Sequence, residues 1–204
     1  MLTGRLTRWR GPGDDAGFTL IELIISIAVL GVLVTAVAAA MFTALGTDKT
    51  TDARLSESRD LQTAASYLAD DVAGAQSFAV SGTAECGSDP LLLELRGQQF
   101  NNSSLATSEV VITYVLRSAT VDGAASRVLH RLTCEGATSA SLAQTGDVTV
   151  ARLISTTVNP TVACKNAAGG TVSCGDASAA TVSVDVTSRS GDLTARLTGH
   201  RRTS

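Results

Sequence analysis

Apolar residues run from Leu23 to Thr47 without a single charged side chain. A helix rises about 1.5 Å per residue, so a helix of this length exceeds the roughly 30 Å hydrocarbon core of a bilayer. One carboxylate, Glu22, stands at the start of the run. An acid at the centre of such a helix costs on the order of 2.5 to 3.5 kcal/mol, and less toward its edge. The pattern predicts a membrane-spanning helix whose one acid needs a cation as its partner.

After this run the pattern becomes that of an amphipathic helix. Apolar residues recur at spacings of four and three, while three acids lie off that stripe; the two sets are Leu61, Ala65, Leu68, Val72 and Ala75, and Asp60, Asp70 and Asp71. This period is typical of a helix with one buried face. The simplest prediction is one long helix from about Phe18 to about Phe78. Two helices with a flexible joint near Gly46 and Thr47 are the alternative.

Beyond Gly82 the period changes to two, which indicates strands. Residues 110–116 are apolar at nearly every position and predict a strand buried on both faces, whereas residues 182–186 alternate and predict a half-exposed one. Residues 193–198 follow the Ser190-Gly191-Asp192 turn and predict a C-terminal hairpin. Further strand candidates lie at 91–95, 128–133 and 148–154. The predicted fold class is α+β, with the long helix packed on a small antiparallel sheet.

The segment before Gly17 has three arginines, Arg5, Arg8 and Arg10, and no apolar stretch of its own. A secretory signal peptide has its apolar region before the cut, but here the apolar run follows it. The other flank, from Asp48 to Arg54, is charge-balanced. Positive flanks stay inside, so we predict a single pass through the cytoplasmic membrane, with the N-terminal segment in the cytoplasm and the C-terminal domain outside.

The residues Gly17 to Leu23, read as G-F-T-L-I-E-L and followed by the apolar run, resemble the processing site of type IV prepilins and of the pseudopilins of type II secretion. The resemblance covers Gly17 to about Leu45, and the rest of the chain is similar in layout alone. It implies cleavage after Gly17 by a prepilin peptidase, which also methylates the new amine of Phe18. It further implies that Glu22 pairs with the N-terminal ammonium of a neighbouring subunit in a filament, at the cell surface or in the periplasm.

The implied partners are other pilin or pseudopilin subunits, the prepilin peptidase and methyltransferase, an inner-membrane assembly platform and the membrane itself. Many major pilins have a proline midway through the apolar segment, but the prolines here are Pro12, Pro90 and Pro160. This departure favours a minor pilin or pseudopilin. One pseudopilin class at filament tips typically lacks the glutamate, so the presence of Glu22 disfavours that class.

The predicted organisation has four parts. They are a leader peptide at 1–17, the membrane and polymerisation half of the helix at 18–47, the amphipathic half at 48–80, and a β-rich extracytoplasmic domain at 81–204. Four cysteines fall in the outside portion, where an even number is typical of disulfides and allows three connectivities. The Gly169-Gly170 loop can bring Cys164 and Cys174 together, which favours that pair and leaves Cys86 with Cys134. Tetrahedral zinc is disfavoured because the C-x(2-4)-C pairs typical of zinc sites do not occur.

Nothing in the sequence indicates an enzyme, a cofactor or a metal site. The chain has no G-x-S-x-G, H-E-x-x-H or Walker motif, and the glycine-rich stretch 11–17 lacks a phosphate-binding spacing. His130 is expected to be a solvent-facing strand residue, and Asp176 and Asp185 form no recognisable calcium loop. The basic residues near the C-terminus, Arg196, His200, Arg201 and Arg202, could contact nucleic-acid phosphates. A solvated tail is favoured, because no aromatic side chains are interleaved for base stacking.

The resemblance thus favours a structural subunit of a type IV pilus-like or type II secretion filament. The alternative is a membrane-anchored surface module that binds DNA or another ligand and does not polymerise. A polymerising subunit needs cleavage after Gly17 and needs Glu22, whereas a simple anchor needs neither.

Overall fold

The computed structural model describes residues 19–101 and 106–202, and the side chains of all these residues except 44–50, 101 and 106. One long helix, α1, spans Leu20–Gly74. Within these described residues nine strands follow it: β1 Ser77–Ala79, β2 Leu91–Asn101, β3 Ala106–Val121, β4 Ala124–Gly136, β5 Ala143–Ile154, β6 Thr161–Asn166, β7 Thr171–Val172, β8 Ala179–Thr187 and β9 Thr194–His200. A short 3-10 turn, Ser139–Ser141, lies between β4 and β5. The α+β fold class is confirmed.

The chain divides into two compact units, Met1–Thr50 and Thr51–Ser204. In the first, Leu20–Thr43 is long and apolar enough to cross a membrane, and its side chains are not buried by other parts of the chain. The second contains the rest of α1 and all nine strands.

In the second unit the predicted apolar stripe of α1 is buried. Leu61, Ala64, Leu68 and Val72 are all at most 5% exposed and belong to the main core, with Ala65 packed at its edge. The predicted end of the helix near Phe78 is wrong. The helix stops at Gly74, because Phe78 is taken up by β1, where it pairs with Leu95 and is buried.

The strands form two antiparallel sheets rather than the single sheet that the sequence predicts. The first has the order β1-β2-β3-β4-β5 and the second the order β7-β6-β8-β9. The break lies in the segment 155–160, which contains Pro160; proline has no N–H to continue a ladder. Arg127 on β4 fixes this segment by donating to the carbonyls of Ser155 and Val158 and to the side chain of Asn159.

The predicted strands are present, and the burial predicted for residues 110–116 and 182–186 is confirmed. In β3, Val111, Thr113 and Val115 are buried on one face and Tyr114 on the other. Val182, Val184 and Val186 of β8 are buried, and β8 pairs with β9 as the C-terminal hairpin. The strands β1, β6 and β7 were not predicted.

A loop covers the face of the first sheet that points away from α1. Residues between Ala79 and Leu91 lie over a small second core of Cys86, Val111, Val115, Leu132 and Cys134. Glu94, buried on the same face, accepts a hydrogen bond from the backbone N–H of Glu85 and binds the guanidinium of Arg96. The first sheet is therefore covered on both faces.

Candidate assembly site

The described part of the N-terminal region begins with a capped helix end. The backbone N–H groups of Glu22 and Leu23 donate to the Thr19 carbonyl at 3.0 and 3.2 Å, and the Glu22 N–H also reaches the Thr19 hydroxyl at 3.4 Å. Thr19 is thus the N-cap, and Thr19 to Glu22 has the T-x-x-E spacing of a capping box. Gly17 and Phe18, the expected cleavage and methylation residues, lie outside the described residues together with the leader 1–17.

Glu22 lies in the first turn of α1, where the helix dipole favours a negative charge. Its side chain is exposed, and it makes no ion pair with any residue in the described part of the chain. Its backbone carbonyl accepts the Ser26 hydroxyl at 2.7 Å. The acid that opens the apolar run therefore has no cation within its own described chain.

The surface around Glu22 is apolar and exposed. Leu20 is 77% exposed and Phe42 76%, and the large apolar side chains between them are all more than half exposed. Fully burying one such side chain is favourable by about 1.5 to 3 kcal/mol. The hydroxyls of Ser26, Thr35 and Thr43 donate to carbonyls of the same helix, so they do not oppose burial. This surface needs either lipid or other helices around it.

The acids in the second half of α1 are in a different situation, because the domain supplies their partners. Asp71 binds Arg131 through two hydrogen bonds of 2.7 Å and accepts the Tyr114 hydroxyl at 2.5 Å. Burial, and then the nearby Asp71, raise the pKa of Tyr114 far above its ordinary value. The hydrogen bond to Asp71 raises the pKa of Arg131, although burial opposes this.

Two more acids of α1 fasten the helix to the strands. Glu57 is 4% exposed and accepts hydrogen bonds from the backbone N–H and the hydroxyl of Ser190, at 3.1 and 2.7 Å. Asp60 accepts from the backbone N–H groups of Arg152 and Leu153 at 2.6 and 3.2 Å. The sequence placed Asp60 and Asp71 off the apolar stripe and so missed their contacts with the domain. Of the three acids on that side, only Asp70 is exposed.

All four cysteines are in disulfides. The Sγ atoms of Cys86 and Cys134 are 2.09 Å apart, and those of Cys164 and Cys174 are 2.08 Å apart. The second pair closes the β6 to β7 hairpin around Gly169, whose φ of +86° suits a residue without a side chain. This is the connectivity that the Gly-Gly loop favours, and peptide mapping of protein from cells tests it below.

His130 is not the solvent-facing residue that the sequence predicts. Its side chain is only 18% exposed, and its Nδ1 lies 2.7 Å from Asp147, which Arg117 also binds at 2.7 Å. The strand turns this residue toward the covered face of the sheet, where β5 supplies the acid. Burial disfavours the charge of Asp147, but hydrogen bonds from Arg117 and His130 outweigh it and lower the pKa of that carboxyl. Arg117 also binds Asp89 of the covering loop, so the cluster has a structural role.

The weaker candidate sites also have local partners. Asp185 pairs with Arg196 at 2.7 and 2.8 Å, and Asp176 accepts the backbone N–H of Ser178. Arg201 donates to two backbone carbonyls, those of Gln76 and Ala177. Within the ranges 19–101 and 106–202, no three His, Cys, Asp or Glu side chains are grouped as metal ligands would be. Two arginines of the basic cluster, Arg196 and Arg201, thus have hydrogen-bond partners within the domain.

Comparison with known proteins identifies the N-terminal region. Residues 14–38 match the family model described as the prokaryotic N-terminal methylation motif, which is the leader signature of type IV pilins and pseudopilins. No curated protein and no solved structure matches the chain. The motif and the apolar helix Leu20–Thr43, the one candidate span among the described residues, support a pilin-like or pseudopilin subunit that is anchored in the membrane by one span. Proteins with this motif are structural rather than catalytic.

Proposed function

With the N-terminal methylation motif as the premise, we propose that this chain is a minor pilin or pseudopilin subunit of a type IV pilus-like or type II secretion filament. It is made as a precursor, cut after Gly17 and methylated on Phe18. One observation carries the proposal: an exposed apolar helix begins with an acid, Glu22, that has no cation in the described part of its own chain. The parallel helices of neighbouring filament subunits would cover this apolar surface and supply the missing cation.

The cation proposed for Glu22 is the amine that cleavage creates at Phe18. That amine would stand one residue before the N-cap Thr19, at the same helix end as Glu22. In the filament, the amine of one subunit would pair with Glu22 of the next, in surroundings that exclude water. Removing one partner of a buried pair is far more costly than removing both, so the pair would set the register between subunits.

The minor role rests on the apolar segment itself. Its helix contains no proline, whereas Pro90 and Pro160 both lie in the domain. The domain would stand outside the cytoplasmic membrane, where oxidising conditions maintain its two disulfides. The prepilin peptidase and the assembly platform would act on the chain before it leaves the bilayer.

Processing is the first test. In cells with a prepilin peptidase, intact-mass analysis should show a chain that begins at Phe18 with a methylated amine. Gly17→Ala should leave the precursor uncut, while Gly31→Ala, at a glycine in open space within the apolar run, should be processed normally. Retention of Met1 in the assembled protein, or a cut near Ala38–Ala40, would contradict the proposal.

Replacement of Glu22 is the second test, because it separates a filament subunit from a simple anchor. Glu22→Leu should still insert in the membrane, but its recovery in sheared filaments should fall more than tenfold, with Glu22→Gln in between. Ser26→Leu is the matched control, since it also removes a polar group from the first turns of the span. Equal recovery of wild type and Glu22→Leu would favour the membrane-anchored binding module.

A further inference from the structure

On the outer face of α1 in the second unit, two side chains of opposite charge lie along a line nearly parallel to the helix axis. Arg59 and Asp70 are eleven residues apart, which at 3.6 residues per turn is about three turns, or roughly 16 Å along the axis and 20° around it. Leu61 and Leu68, which pack on the sheets, lie on the opposite side of the helix. The two charges therefore occupy the middle of the face that the domain leaves uncovered.

Neither charge has a partner in the part of the chain that the structure describes. Arg59 and Asp70 are both exposed, and within the described ranges neither side chain makes an ion pair or a hydrogen bond. The hydroxyls between them, those of Thr63 and Ser66, donate to carbonyls inside the helix. This contrasts with Glu57, Asp60 and Asp71, whose partners the domain provides.

A cleft opens beside Asp70. It has a volume of about 230 Å³ and lies between the last turn of α1 and the strands β2 and β3. Its apolar floor includes Ala75, Leu95 and Ile112, onto which the methylene groups of an arginine can pack while the guanidinium stays near the carboxylate. Arg96 also borders the cleft, but its guanidinium is held by Glu85 and Glu94. The α1 side of the cleft is negative, because it has Asp70 and the carbonyl end of the helix.

We infer that this face binds a second copy of the chain, with Arg59 of one copy entering the cleft beside Asp70 of a parallel copy offset by about 16 Å along the helix axis. The inference rests on the proposed function, because a common membrane orientation makes the two helices parallel. Asp70 is a better partner than Asp52, which lies on the same face, because the cleft opens beside Asp70 and not beside Asp52. Near Asp70, α1 also has no basic residue in its last turn.

Charge reversal in the full-length chain tests this pairing. Arg59→Asp and Asp70→Arg should each lower recovery in sheared filaments, and the double variant should restore it, because opposite charges again meet between copies. Reversal removes the attraction of an exposed pair and adds repulsion, so we expect a loss of about three- to tenfold for each single variant. Asp52→Arg, on the same helix face, and Arg152→Asp, an exposed arginine on β5, are the matched controls and should change recovery by less than twofold.

Cross-linking tests the same contact by distance. Copies carrying Arg59→Cys and Asp70→Cys, each with a different tag, should be joined by a short bismaleimide only when both are present in one cell. A double charge variant no better than the single ones, equal loss with Asp52→Arg, or cross-links only to other subunits would overturn the inference. If Glu22→Leu abolishes assembly while Arg59→Asp does not, this contact is wrong and the proposed function stands. Normal assembly of Glu22→Leu would instead contradict the proposed function.

Discussion

The helix α1 extends through both units of the chain, but its acids differ between the units in whether they have partners. In the first, Glu22 lies among exposed apolar side chains and has no ionic partner in the described part of the chain. In the second, Glu57, Asp60 and Asp71 are bound by groups on strands and loops far away in the sequence. The same residue types thus bind groups of the fold in one unit and have no ionic partner among the described residues in the other.

The difference shows where to look for assembly contacts in such a chain. An acid that is bound by groups of its own domain stabilises the fold, and its loss should destabilise the domain. For an acid without such partners, beside an uncovered surface, we propose a role in association. Glu22 belongs to the second group, and so does Asp70, which stands next to the fully engaged Asp71.

Loss of the Asp71 carboxylate, in Asp71→Ala, should lower the free energy of unfolding more than any other change proposed here. Its side chain is 7% exposed and its removal leaves Arg131, itself 17% exposed, without its ionic partner. Breaking a buried pair in this way costs about 3 to 5 kcal/mol. The free energy of unfolding can be measured by denaturing the detergent-solubilised processed chain. The fluorescence of Tyr67 and Tyr114 follows the transition.

The adjacent Asp70→Ala is the matched control, and it should change the free energy of unfolding by less than about 0.5 kcal/mol. If the two variants were equally stable, the division between folding acids and association acids would fail.

The disulfide between Cys164 and Cys174 should contribute less. For a loop with a sequence separation of 10, the chain-entropy estimate is about 2.7 kcal/mol. Cys164→Ser with Cys174→Ser should therefore make the domain more sensitive to protease while membrane insertion is unchanged. Peptide mapping of unreduced protein should find Cys164 linked to Cys174; a link from Cys164 to Cys86 or Cys134 would refute the pairing.

Thr113 is the one buried side-chain polar atom in the described residues that lacks a hydrogen-bond partner. It lies in β3 between Val111 and Val115, which are fully buried. Thr113→Val should stabilise the domain by about 1 kcal/mol, because it removes an unsatisfied hydroxyl without changing shape. Thr133→Val is the control and should destabilise, since the Thr133 hydroxyl accepts a hydrogen bond from Arg131. Destabilisation by both variants would show that the Thr113 hydroxyl finds a partner.

Acid should weaken the cluster around Asp147 by a smaller amount. The folded-state pKa of this carboxyl is lowered, so its contribution to stability is complete above about pH 5. The contribution begins to fall below the unfolded value of about 3.9 and is lost as the pH falls through the lower folded-state pKa. The side chain is 34% exposed, which limits the effect to about 1 kcal/mol or less. Asp147→Asn should flatten the acid limb of the stability curve, whereas Asp122→Asn, at an exposed turn, should leave it unchanged. An unaltered acid limb in Asp147→Asn would contradict the assignment.

Local pattern was enough to predict the elements whose burial repeats along the sequence. The stripe of α1 and the alternation in β8 follow from one buried face, and the run from Leu23 gave the apolar span. The short β6 was missed because only Val162 and Cys164 point inward, which is too few for a period. The end of the helix at Gly74 was misplaced because Phe78 is an apolar residue in helical register that pairs with β2 instead.

The partners of the charged residues could not be predicted in the same way. Asp71 and Arg131 are 60 positions apart, and only the packing of α1 on β4 brings them together. Asp60 binds backbone groups of β5, which leave no mark in the sequence. The cap at Thr19 does correspond to a sequence pattern, the T-x-x-E spacing from Thr19 to Glu22. The sequence nevertheless indicates a role for Glu22 only.

The bond between Cys86 and Cys134 has a mechanical consequence. It closes an interval of 48 residues that contains β2, β3 and most of β4. Fully extended, that interval would add about 160 Å to the chain, at 3.3 to 3.6 Å per residue. Tension applied between the helix and the C-terminal strands passes through the covalent link and cannot draw these strands out. Under load the domain can lengthen only before Cys86, between Cys134 and Cys164, and after Cys174, so the chain inside the two loops adds no length.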